Sequence, residues 1–129
     1  MAADSSGCRL QKQKKDIMRR LTFVSTVTSA SATSVELKLN NKEIDLKNHG
    51  DIWKGKAEIE LDTSLDVLFG AQGFTGAAWS LEVCVDCPDE PKKILTKQDT
   101  IPPGKPSIFH KTVAIAADPC ASKVTVETD

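Results

Sequence analysis

Apolar and polar residues alternate with a period of two along most of the chain. Val35, Leu37 and Leu39 are interleaved with Glu36 and Lys38, and Ile44 and Leu46 with Glu43 and Asp45. Ala57, Ile59 and Leu61 alternate with Lys56, Glu58 and Glu60. Successive side chains of a strand point to opposite faces, so this pattern predicts half-buried strands with one wet face. Residues 21–28 are rich in β-branched side chains and read as a further strand. Asn40-Asn41 tolerates left-handed backbone and predicts a hairpin turn between 35–39 and 44–46. Residues 65–69 follow. The longest strand then places Trp79, Leu81, Val83 and Val85 on one face and Ser80, Glu82, Cys84 and Asp86 on the other. Ile94-Leu95 begins a short strand, residues 107–116 make the next with Phe109, Val113 and Ile115 inward, and Val124 and Val126 close the chain.

That gives about nine strands and no ten-residue helical pattern between them. The fold class expected is all-β: an antiparallel β-sandwich, immunoglobulin-like or jelly-roll-like, with a barrel as the competing architecture. Two inner faces filled by medium aliphatics favour the sandwich.

The connectors carry most of the candidate chemistry. Residues 29–34 are small, residues 48–51 interrupt the alternation, and residues 101–106 hold three prolines that stiffen the chain. Residues 70–78 have glycine at every third position, which permits positive φ and can aim N–H groups at an anion or ligand edge. No Gly-Lys-Ser/Thr follows and the next element reads as a strand, which excludes a P-loop. Turn geometry alone would also account for these glycines. The candidate contact residues are Gln72, Gly73, Phe74, Thr75 and Gly76, with Trp53 as a further ring. Phe74 must either tuck into the sandwich end or stand out as a contact anchor.

Charge divides the chain unevenly. Arg9, Lys12, Lys14, Lys15, Arg19 and Arg20 face only Asp16 within residues 9–20, a local +5. The whole chain carries 17 basic and 18 acidic residues, net −1, so the other 117 positions carry −6. Residues 1–20 are therefore read as a basic arm, partly helical or disordered, and residues 21–129 as the sandwich domain. Such an arm could dock on anionic lipid or on nucleic acid, at about 1 kcal/mol per cation near an anionic membrane. Docking on its own acidic body is the more economical reading.

A length of 129 residues suits one domain with a single core. Aromatic residues are scarce, with four Phe, two Trp and no Tyr, which argues against stacking platforms for sugars or single-stranded nucleic acid. Cys84-Val85-Asp86-Cys87 has zinc-knuckle spacing, yet Cys8, Cys120, His49 and His110 are singletons and supply no matched second pair. Cys84 and Cys87 remain the metal candidates. A Cys87–Cys120 or Cys8–Cys120 disulfide stays open. There is no signal-like start, no membrane-length apolar run and no dense cysteine framework, which leans toward a reduced intracellular protein.

No nucleophile elbow is present, and neither histidine sits in a catalytic motif, so no catalytic residue is assigned. Carboxylates at 62/66 and 86/89/90 could hold calcium but have no diagnostic spacing. The expected function is a non-enzymatic module without a cofactor, contacting another protein through end loops or an edge strand. A homodimer through sheet edges is open. The alternatives are recruitment to anionic lipid or nucleic acid by the arm, or a small zinc- or calcium-dependent or carbohydrate-binding protein.

Overall fold

A computed structural model describes residues 18–121 and 127–128. The strands are β1 (Arg19–Thr28), β2 (Ala32–Leu39), β3 (Lys42–Glu43), β4 (Lys47–His49), β5 (Ile52–Leu61), β6 (Ser64–Gly73), β7 (Ala78–Val85), β8 (Lys92–Thr100), β9 (Ser107–Ala114) and β10 (Glu127–Thr128). Two sheets form. One runs β9-β6-β2-β3 and the other β8-β7-β1-β5-β4, all antiparallel, with the two-residue β10 added in parallel to β8. No helix occurs among the described residues. The protein is an all-β sandwich.

The two-residue period sorts most side chains between core and surface; Cys84, expected on the outer face of its strand, is buried instead, beside the register shift after Val83. Phe23 and Val27 of β1, Leu81 and Val83 of β7, Leu37 and Leu39 of β2, and Val67 and Phe69 of β6 are fully buried between the sheets. Phe69 and Trp79 meet across the core, ring centroids 4.6 Å apart and tilted by 47°. Each buried aliphatic side chain contributes on the order of 1.5–3 kcal/mol by leaving water, so this double layer carries the stability of the fold.

Asn40 and Asn41 have φ of +49° and +69°, and they turn β2 into β3 as expected. Asn40 also ties the sheets together. Its Nδ2 donates to the Glu60 carbonyl (3.1 Å), and its Oδ1 accepts the Asp66 N–H (2.7 Å). The hairpin's second arm is shorter than the sequence suggests. Only residues 42–43 form a strand with β2; the Ile44 N–H still donates to the Leu37 carbonyl (2.9 Å), after which the chain leaves that sheet and joins the other at β4. This crossing passes so close to β5 that a Cβ on Gly55 would lie 2.8 Å from Ile44 Cγ2 and 2.9 Å from the Asp45 carbonyl oxygen.

Three other boundaries differ from expectation. Residues 48–51, read as a break, are the end of β4 and a two-residue turn in which Gly50 takes φ +71°. β8 extends from 92 to 100, although 96–100 is polar, because it pairs with β7 along its whole length. The register slips between Val83 and Cys84, where β8 carries an extra residue, and both Ile94 and Leu95 are buried there. A bulge of this kind lets consecutive apolar residues share the interior.

β1 begins at Arg19, two residues inside the expected arm. The Arg19 guanidinium donates to the carbonyls of Asp62, Ile115, Ala116 and Ala117 at 2.5–3.1 Å, joining the β5–β6 turn to the exit of β9. Arg20 pairs with Glu60 (3.0 Å) and Glu58 (3.8 Å). These two cations belong to the sandwich, whereas Arg9, Lys12, Lys14 and Lys15 lie outside the described residues.

Candidate functional site

The glycine-rich segment is mostly strand. β6 runs through Gly73 and β7 starts at Ala78, so residues 74–77 alone make the connection. The turn does not present free N–H groups in a row. Gly76, at φ +85°, donates to the Ile101 carbonyl (2.8 Å), and Ala77 donates to that of Phe74 (3.0 Å). Gly73 is required for close packing, since a Cβ there would sit 2.9 Å from Ala32 Cα and 3.0 Å from the Ser31 carbonyl oxygen. The N–H groups of Gly76 and Ala77 are thus spent within the fold, as the turn-geometry account of these glycines has it. Thr75 is exposed, and Gln72 is exposed with its Oε1 accepting from Ser34 Oγ (3.4 Å). Phe74 stands out at 72% exposure.

Trp53 is not part of this cluster. It lies in β5 of the other sheet, half-buried, and packs against the core. Trp79 is fully interior.

A second apolar feature lies on β6, which leads into the Phe74 turn, and on its neighbour β9. Five large apolar side chains are exposed among the described residues, and three of them, Leu68 (39%), Phe74 (72%) and Ile108 (64%), belong to β6, its following turn and β9. Leu68 and Ile108 point away from the core. Gly70 pairs directly with Ile108 on one side and Glu36 on the other, and Leu68 pairs with His110 and Lys38. With no side chain at Gly70, the sheet surface is dented there. The groove measures about 470 Å³ and is walled by Ile108, Glu36, Glu43, Ser34, Gln72 and Pro106.

Further along the same face, Asp66 Oδ1 is bonded to His110 Nε2 (2.6 Å) and accepts from Thr112 Oγ1 (3.1 Å). The threonine hydroxyl is spent on the carboxylate rather than on the imidazole, which leaves no nucleophile–base pair in this cluster.

This surface was missed in the reading of loops and motifs, although a signal existed. In a strand alternating inside and outside, an apolar residue at an outward position is out of phase, and Leu68 and Ile108 are both of that kind.

The outer face of the other sheet differs in character. Its carboxylates are paired, Glu82 with Lys93 and Asp86 with Lys56, each at 3.0 Å. The hydrogen bond from Lys93 to Glu82 raises the lysine's pKa. At one end of this face a depression of about 550 Å³ is bordered by Thr28, Ser29, Ser80, Gln98, Asp99 and Thr100. It brings together hydroxyls and an amide but only one ionisable group.

The cysteines resolve two of the open readings. Cys87 is bonded to Cys120 with their Cα atoms 5.5 Å apart, so it is not available as a metal ligand, and Cys84 is left as a buried free thiol. Burial, then the neighbouring Glu82, pushes the Cys84 pKa up to about 11, which keeps the thiol protonated and unreactive at neutral pH. Among the described residues no three His, Cys, Asp or Glu side chains converge on a point. Disulfides persist in oxidising compartments, so this bond removes the support that the cysteines lent to a reduced interior. Among the described residues, too, no helix is long and apolar enough to cross a membrane. No family model, curated protein or solved structure matches the chain.

Proposed function

We propose that the protein is a non-enzymatic interaction module whose contact surface is the outer face of β6 and β9 together with the Phe74 turn. The observation that carries this reading is the gathering of Leu68, Phe74 and Ile108 on one ribbon of the sandwich. Exposed apolar side chains rimmed by polar ones are costly to keep in water and mark places where another protein is met. Here the rim is Gln72, Ser34, Glu36 and His110, which supplies directional hydrogen bonds around an apolar centre. β9 is also the end strand of its sheet, so its outer edge can extend that contact by strand pairing. Recruitment to anionic lipid or nucleic acid by the basic arm is less well supported, because Arg19 and Arg20 are occupied within the fold.

The test uses the intact protein as immobilised bait, beside Phe74→Asp and Ile108→Asp variants of matched melting temperature. Proteins retained by the wild type and lost from both variants, quantified by mass spectrometry, support the reading. An identical retained set for all three overturns it.

A further inference from the structure

We propose that the basic segment of residues 9–15 docks in the Gly70 groove of its own chain, with its cations at Glu36 and Glu43. This rests on the reading of that face as a contact surface and names its first occupant. The groove combines an aliphatic wall, Ile108, a floor without a side chain, Gly70, and two carboxylates at its far side. Among the described strand carboxylates these two stand apart. On the other strands Glu58 and Glu60 pair with Arg20, Asp66 with His110, Glu82 with Lys93 and Asp99 with Lys97. The side-chain carboxylates of Glu36 and Glu43 have no ion-pair or hydrogen-bond partner among the described residues. Lys38 stands opposite Glu43 in register without pairing to it, and Lys42 turns its amine to the Glu58 carbonyl (3.3 Å).

A groove with one apolar wall, Ile108 and Pro106, facing two carboxylates suits a lysine or arginine, whose stem packs on apolar surface while its head stays at the polar end. Residues 9–15 read Arg-Leu-Gln-Lys-Gln-Lys-Lys, four cations and an aliphatic residue with no acid. The point of departure is also suitable. Met18, where the described chain begins, borders a groove between Asn40 and Lys42 of one sheet and Arg20, Glu58 and Glu60 of the other, so the described chain begins at the sandwich edge that carries the β2–β3 turn. From Asn40 back to Glu36 is four residues of strand, about 13 Å at the usual rise. Lys12 is six residues from Met18, a reach of up to about 20 Å when extended. Glu43, next to Lys42 at the groove that Met18 borders, is the nearer carboxylate, and Glu36 takes the extra reach of a lysine stem; a tethered cation needs no free ligand concentration to find them.

Zero-length carbodiimide cross-linking of the full chain, followed by peptide mass spectrometry of the monomer band, tests this. Bonds from Lys12, Lys14 or Lys15 to Glu36 or Glu43 are expected. Their yield should fall severalfold in about 1 M salt, where the screening length shrinks to roughly 3 Å. The amide resonances of Gly70 and Ile108 should also shift when these three lysines are changed to Gln in the full chain. Cross-links from these lysines that avoid both glutamates, or Gly70 and Ile108 resonances that do not move, overturn the proposal. The two readings fail separately. Loss of partner capture in the Phe74→Asp and Ile108→Asp variants without these cross-links removes the docked arm alone, and cross-links without that loss remove the contact surface alone.

Discussion

Adjacent arginines at the start of β1 have opposite structural weights. Arg19 reaches four backbone carbonyls from two separate segments, while Arg20 makes solvent-exposed ion pairs with Glu58 and Glu60. Replacing Arg19 with Met keeps the stem and removes charge-assisted hydrogen bonds to four carbonyls, one of them part-buried, at an expected cost of about 1.5–3 kcal/mol. Exposed pairs gain little, so Arg20→Ala should leave the urea midpoint nearly unchanged. Equal midpoints for the two variants would refute the distinction. At Cys84 the governing variable is pH. Its folded pKa lies near 11 against 9.0 for an ordinary thiol, so proton binding favours the folded state. That contribution is complete below pH 9 and is lost as pH rises through about 11. Denaturation midpoints followed across this window should fall more steeply for the wild type than for Cys84→Ala; parallel curves would show that the thiol is not the cause.

At the scale of elements, the parts of the fold that were legible in the sequence are those fixed by local pattern. Alternation located the interior of β2, β5 and β7, because one face of each is pressed on the core, β1 was marked by its β-branched content, and the Asn40-Asn41 pair specified its turn through the backbone it tolerates. What could not be read depended on a neighbour. The polar end of β8 is held by pairing with β7, and the exchange of sheets at residues 44–46 depends on the space left by Gly55. The contact surface shares that limit. Phe74 could be singled out from its loop, but Gly70, Ile108 and Glu36 come together only once the register of three strands is known. Gly55 offers the clearest test of an element held by a missing side chain. A methyl group there meets backbone at 2.9 Å as well as side chains, so Gly55→Ala should cost about 1–3 kcal/mol, the range for overpacking. Gly70→Ala, whose methyl would meet only the tip of Ile108 at 3.3 Å and the Ser107 carbonyl oxygen at 3.9 Å, should be far milder. Comparable melting temperatures for the two variants would show that the crossing can move aside.

For the whole molecule, the Cys87–Cys120 bond decides how the two sheets are held as a unit. It spans 33 residues that include β8 in one sheet and β9 in the other, so closing it restricts the unfolded chain across the sandwich. Chain-entropy reasoning assigns such a loop about 3–4 kcal/mol. The native core does not depend on the bond in the same way. Phe69 and Trp79 still meet between the sheets, and Arg19 still grips the carbonyls that follow β9. Reduction should therefore lower stability without dissolving the fold, reducing the melting temperature by roughly 10–15 °C for a chain of this size. Calorimetry of the Cys87→Ser/Cys120→Ser double variant measures this without reductant, and the Phe74 contact surface should keep its partners below the new transition. An unchanged melting temperature would mean that the sheets are already held by packing and by Arg19. A variant with no cooperative transition would mean that the covalent link, rather than the aliphatic double layer, holds the sandwich together.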